Sequence, residues 1–154
     1  MDLYNFQSVG SETNGEHPVI EVQLSMRRTP AAIAPVVEQL MRVIRACQCV
    51  HRGDRTVETA LQEALKIAVV ASDGETPALT NDIRVKCRCE SEKEVLVMID
   101  LAYGTSSRGR ESVIAPAIHL IKRCVDEVRF EQDGTSLHLR KRRASDGVGR
   151  TASF

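Results

Sequence analysis

The chain contains no tryptophan, and aromatic residues make up only 3% of its 154 residues. This scarcity argues against a nucleic-acid-binding surface built from stacked rings. Neither sign of charge is in excess, because 21 Lys and Arg residues balance 21 Asp and Glu residues. The chain therefore lacks the general positive charge that attracts a phosphate backbone, and we expect no direct binding to nucleic acid.

Long apolar runs are absent as well. The longest segment without Asp, Glu, Lys or Arg covers residues 112–121, well short of the roughly 20 residues that a transmembrane helix needs. Residues 1–16 include acidic residues but no Lys or Arg, so they lack the basic region of a signal peptide. The sequence thus predicts a cytoplasmic protein without a membrane segment.

Cysteine is limited to five residues, an odd number that is more typical of reduced intracellular thiols than of a disulfide framework. Cys47-x-Cys49 and Cys87-x-Cys89 offer four thiolates, so a zinc site is the alternative. However, structural zinc sites favour two or more residues between the ligands of a pair, and here each pair has only one. The first helical pattern also runs to about Cys49, and residues two apart on a helix point to nearly opposite sides. We therefore predict reduced core or edge cysteines and no metal site.

What the sequence does contain is typical of one folded domain, since 42% of its residues are hydrophobic and its length suits a single core. Residues 1–17 are polar and without periodicity, which predicts a flexible N-terminal segment. Residues 18–142 form the predicted domain. Residues 143–154 are predicted to form a basic, disordered tail that is simply exposed to solvent. The alternatives are that the basic residues form a phosphorylation consensus or a patch that binds nucleic acid.

Hydrophobic periodicity predicts the order of elements within the domain. A strand is expected over residues 19–26, a first helix from Thr29-Pro30 to about Cys49, and a second helix capped by Asp54. Two hairpins are expected, one from residues 83–89 and 95–101, the other from residues 125–132 and 135–140 through an Asp-Gly turn. A third helix is expected over residues 113–123. This order predicts an α+β two-layer sandwich, with one mixed sheet and its helices on one face.

Three segments carry a resemblance to a known family: TVETALQEALKIAVVAS, VLVMIDLAYG and APAIHLIKRCVDEVRFEQDGTSLHLRKRR. Over roughly residues 20–142 the chain resembles the anti-sigma-factor serine kinases of the GHKL (Bergerat-fold) ATPase superfamily. In that family a helix carries a pattern close to EALxNAVxH, which this chain matches at Glu63-Ala64-Leu65 and Ala68-Val69. The resemblance implies that residues 18–142 are a histidine-kinase-like ATPase domain.

The resemblance also implies roles for individual residues. Glu63 corresponds to the general base that activates the attacking hydroxyl, and Asp100 to the acceptor for the adenine amino group. Nucleotide-binding positions follow Asp100 and open the third helix, and here they hold Ala102, Gly104, Ala115 and Ala117. Judged from the residues alone, Glu63 is equally a polar residue on a helix surface, and Asp100 a residue that ends a strand.

The match to the family fails at the positions that would bind the metal ion and the phosphates. Ile67 stands where the family has its metal-binding Asn, and an aliphatic side chain offers Mg²⁺ no oxygen. Pro116 lies in the segment that corresponds to the phosphate-binding turn and removes one N–H donor. Losing both groups removes much of the charge stabilisation that phosphoryl transfer needs. We therefore expect weak or lost ATP binding and no bound Mg²⁺.

The resulting expectation is a pseudokinase of the anti-sigma-factor type that acts mainly by binding. The anti-sigma kinases that this chain resembles act as homodimers. The resemblance therefore implies a homodimer, with a sigma factor, a STAS-domain anti-anti-sigma protein, or both as partners. The alternative is an active ATP-dependent serine/threonine kinase that phosphorylates the anti-anti-sigma protein. A more distant alternative is the detached ATPase module of a sensor kinase.

Overall fold

The computed structural model describes residues 4–14, 17–71, 82–101, 111–131 and 136–143. Six strands and three α-helices follow one another in the order ββααββαββ, and a short 3₁₀ turn, Pro30–Ala32, precedes the first helix. The elements are β1 (Tyr4–Asn14), β2 (His17–Arg27), α1 (Ile33–Ala46), α2 (Thr56–Ala71), β3 (Asp82–Glu90), β4 (Glu94–Asp100), α3 (Glu111–Cys124), β5 (Glu127–Glu131) and β6 (Ser136–Arg142).

The strands form one six-stranded sheet in the order β1-β2-β3-β4-β6-β5. This confirms the predicted α+β class with its sheet and helix layer. The prediction of a mixed sheet was wrong, because every pair of neighbouring strands in the described sheet is antiparallel. The reason is the route of the chain after β4: it passes through α3 and then reverses in the β5–β6 hairpin, so β6 returns antiparallel to β4.

The core lies between one face of the sheet and the helices. Alternate residues of β3 and β4 are buried, as the predicted period of two requires. The first helix contributes a stripe at helical spacing that includes Val36, Leu40 and Ile44. Side chains from both layers and from α3 belong to a single hydrophobic cluster. On the opposite face of the sheet β3 presents charged residues, whereas β4 presents Leu96 and Met98 as well as Glu94 and Asp100.

The N-terminal segment differs from its prediction. Residues 1–17 were expected to be flexible, yet Tyr4–Asn14 forms β1 and pairs with β2 through a register that runs from Tyr4↔Met26 to Asn14↔His17. An edge strand of this kind is held by main-chain hydrogen bonds to its neighbour, so its sequence needs little apolar alternation. The sequence pair Asn14-Gly15 is common in hairpin turns, and hydrophobic periodicity alone does not indicate it.

The first helix is also shorter than predicted, since it ends at Ala46 rather than near Cys49. Gln48 adopts a left-handed conformation with φ of 58°. The Gln48 N–H donates to the Arg45 carbonyl and the Cys49 N–H donates to the Ile44 carbonyl, at 3.1 and 3.3 Å. These two bonds are the pattern of a Schellman C-cap, which reverses the chain after a helix. The reversal sets the direction of Cys49.

The C-terminal end of the described chain is attached to the domain. Arg143, the first residue of the predicted basic tail, donates its N–H to the Lys93 carbonyl at 2.7 Å and a guanidinium N–H to the Gln48 carbonyl at 2.9 Å. The remainder of that predicted tail lies outside the described residues. Within the described ranges, none of the helices combines the length and the apolar character needed to cross a membrane.

Candidate functional site

Asp100 is the last residue of β4, and its side chain belongs to the sheet face that points away from the helices. The alternation of the strand fixes this orientation, because Val97 and Ile99 are buried on the helix side and Asp100 is exposed. The next inward position, Leu101, is fully buried. In the register of the sheet Asp100 lies opposite Arg84 of β3. The carboxylate therefore belongs to a polar site on the open face of the sheet.

A shallow depression of about 590 Å³ covers this part of the open face. Its floor is a row of residues from adjacent strands in register, and the row runs from Ser25 through Arg84 and Asp100 to Ser136. Lys86 and His138 belong to the neighbouring row and line the same depression. We call this group the open-face site. It combines cationic, anionic and hydroxyl groups, so it is suited to binding a polar ligand or a polar surface.

The histidine of the open-face site is paired with a serine on its own strand. The His138 Nε2 atom lies 3.0 Å from the Ser136 hydroxyl oxygen. Burial lowers the pKa of His138; the carboxylate of Glu131 acts in the opposite direction, and the guanidinium of Arg129 lowers the pKa further. The imidazole is therefore neutral at pH 7, and in the tautomer with Nδ1 protonated, Nε2 accepts a hydrogen bond from the serine.

Glu63, the residue implied as a general base, lies in the other layer of the molecule. It is in the middle of α2, and its carboxylate forms an ion pair with Lys66 one turn further along, at 2.7 Å. Because α2 packs against the buried face of the sheet and Asp100 lies on the open face, the two carboxylates are on opposite sides of the sheet. The structure does not bring Glu63 and Asp100 into one cleft.

Ile67 follows Glu63 by four residues and is part of the hydrophobic core. Its side chain is 1% exposed and belongs to the same buried cluster as Leu40 and Ile99. The helix face that would carry a metal ligand in the resembled family is therefore used here for packing. An oxygen-donating side chain at this position would be buried among hydrocarbon.

The alanines implied as phosphate-binding positions lie inside α3 rather than at its start. The helix begins at Glu111, so Ala115 and Ala117 are in its second turn, and Pro116 lies between them. Backbone N–H groups of a second turn are bonded to carbonyls of the preceding turn, and only the first four N–H groups of a helix remain available to a ligand. Ala115 is exposed and Ala117 is half-buried. Ala102 and Gly104, the other two implied positions, lie outside the described residues.

Arg28 makes long-range contacts that the sequence did not predict. Its guanidinium donates to the Ala68 carbonyl at 2.6 Å and to the Leu101 carbonyl at 3.2 Å. Ala68 lies in the last turn of α2, where carbonyl groups lack partners within the helix. Arg28 therefore joins the end of α2 to the end of β4. The only sequence signal for this role is an arginine directly after a strand, which does not identify its partners.

Taken together, the described residues do not form the set of groups that the resemblance implies for ATP and Mg²⁺. The expected metal ligand is a core isoleucine, the two implied carboxylates are separated by the sheet, and the implied phosphate positions have their N–H groups inside a helix. No protein-family model matches this sequence, and no curated protein sequence matches it either.

Proposed function

We propose that this chain is a regulatory protein of the anti-sigma-factor type that works by binding protein partners, with an ATP site that is degenerate. The proposed partners are a sigma factor, a STAS-domain anti-anti-sigma protein, or both, and the proposed form is a homodimer in the cytoplasm. These partners are proposed from the sequence resemblance. The α+β two-layer architecture is compatible with that resemblance. Phosphoryl transfer is not part of the proposal.

The observation that carries the binding role is the position of Ile67. Phosphoryl transfer depends on a metal ion that neutralises the developing charge, and Mg²⁺ is bound through oxygen ligands. At the corresponding helical position this chain has a side chain that is 1% exposed and packed in the core. The fold therefore uses this position for stability, which favours a protein that acts through its surface over one that turns over ATP.

Glu63 supports the same proposal. Its carboxylate is engaged with Lys66 on the same helix, although only 19% of the Glu63 side chain is exposed. An i,i+3 ion pair is an ordinary interaction between neighbouring turns of a helix. A catalytic base must reach the hydroxyl that it deprotonates, beside the bound nucleotide. Asp100, the residue implied to hold the adenine, is on the other side of the sheet. An ordinary surface role for Glu63 requires neither nucleotide nor metal.

The experiment pairs the full chain with each purified sigma factor and STAS-domain protein of its source organism. Complexes are detected by size-exclusion chromatography with light scattering, and each mixture is then incubated with Mg²⁺ and γ-labelled ATP. We expect a stable complex with at least one partner and no labelled serine. Glu63→Gln is the matched variant, because it removes the carboxylate with little change of shape and should leave complex formation unchanged.

Two results would contradict the proposal. Binding to none of these proteins would remove the anti-sigma role. Mg²⁺-dependent labelling of a STAS-domain serine that Glu63→Gln abolishes would establish the active kinase instead, since a spectator glutamate does not control phosphoryl transfer.

A further inference from the structure

Four of the five cysteines lie together where the connection between α1 and α2 meets β3. The Sγ atoms of Cys47, Cys49 and Cys89 all lie within 4.8 Å of one another. The Sγ atom of Cys87 is 3.7 Å from that of Cys89. All four side chains are buried. Because these thiols come from two segments about forty residues apart, the fold itself brings them together.

Local geometry explains how two Cys-x-Cys pairs can converge. Cys87 and Cys89 are two apart on a strand, so both point to the buried face of the sheet. Cys47 and Cys49 are not on a helix, because α1 ends at Ala46 and the left-handed Gln48 turns the chain back between them. A helix continuing to Cys49, one of the two reasons against a zinc site, is therefore absent here, whereas the short Cys-x-Cys spacing remains.

Hydrogen bonds hold the two segments in place independently of the thiols. The Ser91 hydroxyl and the Glu92 N–H both donate to the Cys47 carbonyl, each at 3.1 Å. Arg143 donates to the Gln48 carbonyl from the other side at 2.9 Å. The turn that follows β3 is thus fixed against the end of α1. A metal ion would enter a framework whose backbone is already positioned.

The spacing of three of the four sulfur atoms suits a tetrahedral thiolate site. Zinc binds cysteine sulfur at about 2.3 Å, which places the sulfur atoms of a tetrahedral site about 3.8 Å apart. The 3.7 Å between Cys87 and Cys89 is close to that value. The sulfur atoms of Cys47, Cys49 and Cys89 lie within 4.8 Å of one another, so they need only a small contraction. Cys87 is outside that set, and its sulfur must move toward Cys47 and Cys49 to complete a four-sulfur site.

The surface above the cluster is positively charged. A depression of about 750 Å³ is lined by Arg45, Arg52, Arg55 and Arg143, and by Gln48 and Val50 on either side of Cys49. A zinc ion with four thiolates carries two net negative charges. Neighbouring cations stabilise such a group and form part of the surroundings that tune a metal site.

We propose that these cysteines form a structural zinc site, with Cys47, Cys49 and Cys89 as thiolate ligands and Cys87 as the fourth. Each ligating thiol releases one proton to solvent as its sulfur binds Zn²⁺. The site joins the α1–α2 connection to β3, so bound zinc adds its binding free energy to the stability of the folded chain. This inference does not depend on the proposed partners.

The first test uses the full chain, purified under reducing conditions, stripped of metal with a chelator and then dialysed. Zinc and, separately, cobalt are titrated into it. We expect one metal ion per chain, a thiolate-to-cobalt charge-transfer band with an intensity that indicates four sulfurs, and a higher melting temperature with zinc. The chain is also alkylated on unfolding, and the modified cysteines are identified by peptide mapping. Zinc should protect residues 47, 49, 87 and 89 from alkylation, whereas Cys124 should react with or without zinc.

A pair of variants gives the matched comparison. Cys89→Ser removes a central ligand, and Cys124→Ser alters a buried cysteine at the end of α3, outside the cluster. We expect Cys89→Ser to weaken zinc binding by roughly tenfold or more and Cys124→Ser to leave it unchanged. The alkylation experiment on the unaltered chain decides the question if Cys89→Ser fails to fold.

The proposal is overturned if zinc and cobalt do not bind the unaltered chain at one equivalent, or if zinc protects no cysteine from alkylation. It is also overturned if Cys124→Ser weakens binding as much as Cys89→Ser. An intramolecular disulfide between clustered cysteines that forms in the presence of excess zinc would likewise contradict it, because ligated thiolates are not available for that bond.

Discussion

Ile67 packs in the hydrophobic core at a position where the resembled family has a metal-binding Asn. Its side chain is 1% exposed, in contact with a core drawn from both layers. Helical periodicity predicts that α2 has a buried face, but it does not by itself show that Ile67 belongs to that face. The residue type excluded a metal ligand, and only the packing of α2 on the sheet reveals what the side chain does instead.

At this scale we predict that Ile67→Asn destabilises the chain and gains no Mg²⁺-dependent nucleotide binding. The substitution removes buried hydrocarbon and buries an amide, at a cost of about 3–5 kcal/mol. Ile67→Val is the matched control and should cost about 0.5–1.5 kcal/mol. Urea unfolding measures the stability of both variants, and calorimetric titration with Mg²⁺ and ATP measures binding. An Asn variant that is as stable as the Val variant and binds Mg²⁺-ATP would contradict the placement of Ile67 in the core.

The face of the sheet on which Asp100 lies could be predicted from the sequence. The alternation that predicts β4 also assigns faces, and Asp100 is out of phase with the buried Val97 and Ile99. Its separation from Glu63 therefore follows from periodicity once the helices are known to cover a single face. Arg28 is the opposite case, because the two carbonyls that it joins belong to residues 40 and 73 positions away, and no local pattern indicates such contacts.

At the scale of elements, the start of α2 depends on an acidic cap. The Asp54 carboxylate accepts hydrogen bonds from the Thr56 N–H at 2.9 Å and from the Thr56 hydroxyl at 2.7 Å. Burial by itself would raise the pKa of Asp54, but these hydrogen bonds, together with Lys141 and His51, outweigh it and hold the pKa below its ordinary value. The sequence predicted this cap correctly from the position of an aspartate before an apolar helical pattern.

We predict that Asp54→Ala costs about 1 kcal/mol of stability at neutral pH. A carboxylate with a lowered folded-state pKa stabilises the fold above its unfolded pKa, and the effect is lost as pH falls through the folded pKa. The difference between wild type and Asp54→Ala should therefore be full at pH 7 and shrink progressively below about pH 4. Urea unfolding across this range measures it, with the exposed Asp82→Ala as control. A difference that grows on acidification would contradict the role of the ionised cap.

The first strand is the element on which sequence and structure differ most. Its pairing is specified by β2, which has clear alternation, while β1 itself is rich in polar residues. Main-chain pairing at a sheet edge leaves a weak sequence pattern, so only the Asn14-Gly15 pair indicated a hairpin. The central strands were easier to predict because each buries one face and therefore alternates strictly.

Hydrogen exchange followed by NMR tests β1 directly. We predict that main-chain amides of β1 that pair with β2 in the antiparallel ladder exchange more slowly than those of an unstructured peptide, although less slowly than amides of the central strand β4. Edge position explains the difference, since β1 is the outermost strand of the described sheet and pairs there with β2 alone. Exchange throughout residues 4–14 at the unstructured rate would contradict the strand.

At the scale of the whole molecule, one face of the sheet is covered by helices and the other presents rows of charged residues. Glu21 lies between Lys86 and Arg88, at 3.8 and 3.6 Å. Arg140 lies between Glu94 and Glu127, at 3.1 and 3.5 Å. The sequence predicted the two layers and the order of most elements from periodicity and turn residues. It did not predict the meeting of Cys47 and Cys89, because that contact depends on a left-handed Gln48 and a non-local approach of two segments.

We propose that the chain regulates by binding, without a working ATP site. The most direct measurement is the dissociation constant of the complex with its sigma-factor or STAS-domain partner, determined by fluorescence anisotropy with and without saturating Mg²⁺ and ATP. A partner-binding protein with a degenerate nucleotide site should give the same dissociation constant in both conditions, because a ligand that does not bind cannot shift the equilibrium. A change of about tenfold or more, which corresponds to a coupling free energy of about 1.4 kcal/mol, would contradict the account.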